Sequence, residues 1–521
     1  MELNNTATNR RLALNLTANF ISFIVTFGIN FFLSPYIVKQ VGVDAYGFVG
    51  LANNFVSYAS LIAIALNALA GRTITVKIYE NDYEGANKFF TSVLIANAVI
   101  SGVMLLGFSL VWFFLGNLIN IPSGIFWDVK ILFAALFFEC VIYTSGSVFS
   151  VSTYATNKLY LNSLRSIEAS IGRAVILVIL FVFFSPNICY LGITAALMAV
   201  YCLIYNVYYT RKLLPFIKVH KSSFDIGAVK ELVASGIWSL IIRLGQILSD
   251  GLDLLISNLL INPIAMGVLS LAKTIPTLIS SIMGSIAGVF SPGFTILYAQ
   301  KKYDELLIDV KRAMKVMGIF VNIPMIILIV CGKEFFTLWQ PTQDAGQLHV
   351  LSILTCCCLV ISGGINCLYE LFIVVKRIKE NAIAVVLGGL VSVLITFLLL
   401  KTTSLGIYAI AATSSFVSIL RNLAFTAPFG AKCLGQKWYA FYPEVFRPVV
   451  FDAMSVAFGC VVLLLIKPVN WPMLIIKAGI ITVFSFAVGF FIILNKTDRQ
   501  LIRAKISAVR LRFSKRGGEE E

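Results

Sequence analysis

The chain has 521 residues, 59% of them hydrophobic and only 13% charged, with a mean hydropathy of +0.90. A water-soluble globule cannot hide that much apolar surface behind so few charges, so the solvent for most of the chain is lipid. The net charge of +16 is read as a topology signal; contact with anionic headgroups accounts for it without nucleic acid.

In chain order, the first eleven residues are polar and no cleavage site follows, so the first apolar run reads as a retained span. Fourteen segments reach the roughly twenty apolar residues that a helix needs to cross the hydrocarbon core. They lie at about 13–37, 46–70, 90–117, 128–152, 164–185, 189–210, 233–259, 264–290, 313–332, 347–375, 380–400, 405–427, 448–466 and 471–494. Spans of this length exclude a β-barrel, whose strands are short and alternate in polarity. The expected fold is an all-α polytopic membrane protein.

With the N-terminus in the cytoplasm, the outer loops hold only Lys39, Lys130, Lys333, Lys401 and Lys467. Arg173, Arg243, Lys273, Arg421 and Lys477 fall inside spans, and the rest of the 41 Lys and Arg lie in inner loops and termini. That asymmetry predicts that both termini are cytoplasmic. The tail "RAKISAVRLRFSKR" is expected to lie against anionic lipid. The ten cysteines include the run Cys356, Cys357 and Cys358, and none has metal-site spacing with His220 or His349. Buried free thiols, and no metal or cofactor, are the reading.

The chain repeats. Shifted by 220 residues, "AYGFVGLA" (Ala45–Ala52) falls on "AMGVLSLA" (Ala265–Ala272), and Tyr83 later meets Tyr303. Over 45–84, eight of forty positions are identical, where composition alone gives about three. The unit is therefore six helices. We expect an N-terminal lobe at 1–215, a C-terminal lobe at 216–430, and an appended helix pair with a basic tail at 431–521, the lobes enclosing a central cavity.

Span 7 carries Ser239, Arg243, Gln246, Asp250, Asp253 and Ser257 at steps of three and four, which puts all six on one helix face. Span 1 carries Asn15, Asn19, Ser22, Thr26, Asn30 and Ser34 in the same way. Span 2 has Asn53, Asn54, Ser57 and Ser60, whose counterparts on span 8 are Lys273, Thr274, Thr277 and Ser280. Polar stripes can simply glue helices together. Four related stripes, one of them charged, favour a shared wet cavity.

A charge at the bilayer centre costs at least ~2.5–3.5 kcal/mol, so each needs a partner, water or a task. Arg173, Arg243 and Arg421 lie in the inner half and suit a phosphate-bearing cargo, which arginine grips bidentately. Gln246, Asn19, Asn30 and Asn53 would line the same cavity. Asp250, Asp253, Lys273 and Glu139 are candidates for a gate or for a coupling cation, H+ or Na+. The bland alternatives are snorkelling for Arg421 and Lys477 and solvation near the outer surface for Asp253. Arg165 and Glu168, three apart, read as a local salt bridge.

The stretch "NLTANFISFIVTFGINFFLSPYIVKQVGVDAYGFVGLANNFVSYASL" resembles the first two spans of polysaccharide and O-antigen (Wzx-type) flippases, in the multidrug/oligosaccharidyl-lipid/polysaccharide exporter superfamily. The likeness covers the twelve-helix core and is strongest at 15–90 and 233–305. It implies two six-helix lobes, alternating access, and an undecaprenyl-diphosphate-linked oligosaccharide carried from the inner to the outer leaflet, alongside other polysaccharide-assembly membrane proteins. Fourteen spans also resemble the lipid II flippase branch, where the extra pair shapes a groove for the lipid tail. The superfamily rival is an antiporter of organic cations; several of those use a carboxylate on span 1, and span 1 here has none. A membrane polymerase, ligase or glycosyltransferase is the rival of another class, and the short loops argue against it. No G-x-x-x-x-G-K-[ST] phosphate loop occurs, so the expected drive is a cation gradient or membrane potential.

Overall fold

The computed structural model describes residues 2–465 and 470–500; the basic tail at 503–516 and Lys467 lie outside the described residues. Among the described residues, thirteen helices are long and apolar enough to cross a membrane. In chain order they are α1 (Thr17–Val41), α2 (Val43–Tyr79), α3 (Tyr83–Phe113), α5 (Tyr160–Phe183), α6 (Cys189–Leu213), α7 (Ile226–Leu260) and α8 (Pro263–Ala299). They continue as α9 (Tyr303–Trp339), α10 (Ala345–Val374), α11 (Ile378–Thr402), α12 (Ile407–Cys433), α13 (Tyr442–Leu465) and α14 (Trp471–Ile492). Helix α4 (Phe126–Gly146) fills the remaining expected place and carries Asp128, Lys130 and Glu139. No strand occurs among the described residues.

The helices outrun the expected spans. Span 9, expected at 313–332, is the 37-residue α9. Hydropathy detects only the lipid-immersed part, whereas backbone hydrogen bonding carries a helix on until a cap or turn stops it. At the opposite extreme of polarity, Lys130 is accommodated by aromatic faces. Its ammonium sits 4.5 Å from the Trp112 ring centre, 5.4 Å from Phe126 and 5.5 Å from Trp127.

The chain forms two compact units, Met1–Ser270 and Leu271–Glu521. In the first, α2 is the spine and packs on α3, α4 and α7. One core runs from Leu66, Ala70 and Ile74 of α2 to Phe90 and Val93 of α3 and Ala228 and Leu232 of α7. Helices α2 and α7 approach so closely that a Cβ on Gly236 would lie 2.0 Å from the Ala65 carbonyl oxygen. Only glycine fits there. In the second unit the spine is α9, whose most apolar window is 72% buried against 17% for α8. It packs on α10, α13 and α14.

The sequence repeat is present in the backbone. Helices α2 and α8 are both 37 residues long, and their ends are displaced by the same shift. Each is followed by a turn with one left-handed residue, Asn81 at φ 60° and Lys301 at φ 58°. The next helices then open on Tyr83 and Tyr303. Lysine has no intrinsic preference for φ above zero, so the turn itself is what the repeat preserves.

Candidate functional site

Span 7 is not one continuous α-helix. Ile226–Gln246 is α-helical, Ile247–Gly251 is a π turn, and Asp253–Leu260 resumes the α-helix. A π turn inserts a residue, breaks the regular ladder and re-aims the side chains beyond it. The predicted six-residue stripe is accordingly cut in two. Ser239, Arg243, Gln246 and Asp250 are exposed, whereas Asp253 and Ser257 are buried. Asp253 is only 5% exposed, so solvation at the outer surface does not explain it; it lies within electrostatic reach of Tyr58.

The π turn is held by α2. Asn54 Nδ2 and the Tyr58 hydroxyl both donate to the Gly251 carbonyl, at 2.9 and 2.6 Å. The irregular turn leaves that oxygen in need of donors, and a side chain one turn along from Asn54 supplies the second. Arg243 Nη1 donates to Gln246 Oε1 at 3.2 Å. That bond uses one of the five N–H donors of the guanidinium.

Beside this segment, α2 and α4 line an open cleft of about 370 Å³. Asn53, Ser60, Asn67, Glu139, Tyr143, Thr144 and Ser147 supply its polar lining. The floor is a closed network. Asn67 Nδ2 donates to Asn97 Oδ1 at 2.9 Å, Asn97 Nδ2 returns a bond to Asn67 at 3.0 Å and reaches Ser147 at 2.9 Å, and Ser147 donates to Asn67 at 3.0 Å. Glu139 is thus a half-buried carboxyl in a mainly apolar cleft with scattered polar groups, and the charge of Arg173 acts on it. Arg173 Nη2 also donates to the Leu191 carbonyl at 3.3 Å.

The second unit repeats the device. Arg421 ends the first α-helical part of α12, Asn422–Thr426 is again a π turn, and Ala427–Cys433 resumes the α-helix. Arg421 Nη2 donates to the Tyr369 hydroxyl at 3.2 Å, and Tyr369 donates to Asn422 Oδ1 at 2.8 Å. Asn422 Nδ2 continues to Ser362 Oγ at 2.8 Å. Arg421 is therefore fastened to α10 and does not snorkel. Lys273 is half-buried where α8 breaks between Ala272 and Thr274.

Half of the span 1 stripe is glue. Asn15 donates to Asn157 Oδ1 at 3.0 Å and accepts from the Tyr160 amide at 2.9 Å; Thr26 meets Ser170 at 2.9 Å; Ser34 donates to Tyr46 at 3.2 Å. Asn19 and Asn30 remain exposed. The expected Arg165–Glu168 bridge is replaced by two contacts to α6. Arg165 donates to Asn206, and Tyr201 donates to Glu168. Lys477, expected to be structural or to snorkel, is 0% exposed and does not snorkel. No disulfide joins cysteines among the described residues, but Cys460 is exposed and Cys357, Cys358 and Cys433 are only half-buried. No cluster of metal-binding side chains occurs among the described residues.

Sequence reasoning missed both π turns, Tyr58, Tyr369 and Asn422. Gly251 within a span was the one available signal for the first turn; nothing in the sequence marks the second.

This architecture of bundled spans with broken helices has known counterparts. The family model described as "Polysaccharide biosynthesis protein" matches residues 12–298, more than half of the chain. The chain belongs to that family. Within it, the chain is 27% identical over 495 residues to the uncharacterized membrane protein EpsK of Bacillus subtilis (strain 168), covering 94% of this chain and 97% of that protein. Among solved structures, the lipid II flippase MurJ in an inward closed conformation is similar with a TM-score of 0.64, 15% identity, and coverage of 92% of this chain and 99% of that one. An inward-facing multidrug resistance MATE transporter of the MOP superfamily is similar with a TM-score of 0.65 and 13% identity, covering 84% and 98%. These identities establish a shared fold, that of membrane transporters and flippases, which is the class the sequence resembled. The family places the chain in polysaccharide biosynthesis.

Proposed function

We propose that the protein moves an undecaprenyl-diphosphate-linked oligosaccharide, a polysaccharide repeat unit, from the inner to the outer leaflet of the bacterial inner membrane by alternating access. Arg243 carries this reading. It is exposed on α7, and its hydrogen-bond partner is the neutral Gln246. A guanidinium within a span, not neutralised by a carboxylate hydrogen bond, is suited to bind a diphosphate bidentately. Arg173 and Arg421 are secondary anion contacts in this scheme, and Gln246, Asn19, Asn30 and Asn53 face the cargo. Both termini lie in the cytoplasm, as the lysine and arginine asymmetry predicts. Entry of H+ or Na+ drives the cycle through Glu139, Asp250 or Asp253, with Lys273 at the gate.

The test is binding of purified protein to a synthetic undecaprenyl-diphosphate glycan, wild type beside Arg243→Ala. Saturable binding that weakens in the variant supports the proposal. Binding of organic cations with none to the diphosphate lipid would transfer the protein to the antiporter reading, with Asp250 at its centre.

A further inference from the structure

Where α13 and α14 pack on α9, five buried polar side-chain atoms have no hydrogen-bond partner among the described residues: Asn322 Oδ1, Asp452 Oδ1, Ser455 Oγ, Lys477 Nζ and Ser485 Oγ. Their surroundings are one apolar core shared by the three helices, including Ile319, Ile323, Phe451 and Ile481. In such a core an unsatisfied polar atom is costly, so a cluster of them on one seam asks for a task.

Asp452 is the chemical centre of the seam. It is 7% exposed and sits ten residues inside α13, about 15 Å from the helix start at 1.5 Å per residue. Asn322 Nδ2 donates to its Oδ2 at 2.8 Å and reaches the Val360 carbonyl of α10 at 3.3 Å. Two of the cations on the helices around it are paired elsewhere. On α13, Arg447 pairs with Glu444 at 3.8 Å. On α9, Lys315, two turns from Asn322, is bound to Asp498 at 2.9 Å. From α14, the buried Lys477 nitrogen has the Cys331 thiol of α9 as its polar neighbour, with the Glu334 charge also acting on that thiol. Among the described residues no cation is bonded to Asp452. A buried carboxyl with one neutral donor and one bare oxygen is completed by a proton on that oxygen.

We propose that Asp452 is a proton-binding group, and that the seam of α13 with α9 is a proton-binding site with Asn322 as its positioning partner. The step is proton transfer alone. An O–H bond forms on Asp452 Oδ1 with a proton taken from water, and it breaks when the proton is returned. Bound proton lets α13 stay packed on α9; its loss leaves a carboxylate that must draw water into the seam, loosening the appended pair. Nothing in this depends on the cargo.

Infrared difference spectra of the full chain in lipid nanodiscs, between acidic and alkaline buffer and without cargo, test it. The expected result is a pH-dependent carbonyl band of a protonated carboxyl that is lost in Asp452→Asn and kept, at a shifted frequency, in Asp452→Glu. Identical spectra for wild type and Asp452→Asn would overturn the proposal. Should Asp452→Asn fail to fold, Asn322→Ala keeps the carboxyl and removes its donor. A shifted band then supports the site, and an unmoved band overturns it. Failure of diphosphate-lipid binding would leave this result standing, so the two proposals fail separately.

Discussion

At the scale of single residues, span charges divide by what surrounds them. Arg421 and Arg173 donate to a hydroxyl and a carbonyl of neighbouring helices, whereas Arg243 meets only a glutamine of its own turn. We therefore predict an ordering. Arg243→Ala should weaken binding of an undecaprenyl-diphosphate lipid by about tenfold or more, since hydrogen bonds to charged groups contribute ~1.5–3 kcal/mol. Arg243→Lys should recover part of it, because lysine keeps the charge and loses the fork. Titration by microscale thermophoresis, with the exposed Arg377→Ala as control, reads both. A loss in the control equal to that in Arg243→Ala would remove Arg243 from the site. The buried Lys477 is no control at all, because its truncation would open the α14 core.

At the scale of elements, close approaches and irregular turns decide what α2 can do. Gly236→Val should separate α7 from α2, since even a Cβ would collide with the Ala65 carbonyl. Overpacking of this kind costs ~1–3 kcal/mol, read as a lowered Tm in detergent. An unchanged Tm would show that α2 and α7 do not pack as described. Replacing both Asn54 and Tyr58, as Asn54→Leu with Tyr58→Phe, strips the donors from Gly251. The π turn should then revert toward regular helix and turn Asp250 and Asp253 to new faces, detectable as altered cysteine accessibility at position 250. At the far end of α14, Asp498 is bound by Lys315 and Arg312 at 2.9 and 3.2 Å. Burial pushes its carboxyl up, but the hydrogen bonds and charges of Lys315 and Arg312 outweigh it and hold the group below the ordinary carboxylate range. A lowered pKa means that the tether is fully present above the ordinary value near ~4 and is lost as pH falls through the lowered one. Asp498→Asn should therefore lower Tm at neutral pH, by on the order of 3–5 kcal/mol of stability for a broken buried pair. The gap to wild type should close in strong acid; a gap that persists there would sink the assignment.

At the scale of the whole molecule, transport needs an energy source that the chain can sense. Neutralising Glu139, Asp250 and Asp253 together should leave cargo binding in place and abolish the dependence of transport on an imposed H+ or Na+ gradient in proteoliposomes. Gradient-dependent transport by the triple variant would assign coupling elsewhere, and Asp452 would be the next group to test. A polysaccharide family member with a transporter fold can satisfy both requirements only if its charged residues are spared from structural pairing, and Arg243 meets that condition.

Much of this was legible without coordinates. Hydropathy counts helices because lipid demands about twenty apolar residues per crossing, and the repeat appeared because the two related stretches keep their turn chemistry, down to Tyr83 and Tyr303. Polar positions were legible too, but not their roles. Asn15, Thr26 and Ser34 share a stripe with Asn19 and Asn30, yet only the neighbouring helix determines which of them are spent as hydrogen-bond partners. Likewise no local pattern announces a π turn, since its cost is met by donors nearly two hundred residues away, as Asn54 does for Gly251. The sequence by itself determined a membrane solvent, the helices, their repeat and their family, because these follow from composition and local periodicity. Only the tertiary structure decided which charges are buried, paired or left to act, because burial and pairing are properties of neighbours that the chain brings together from afar.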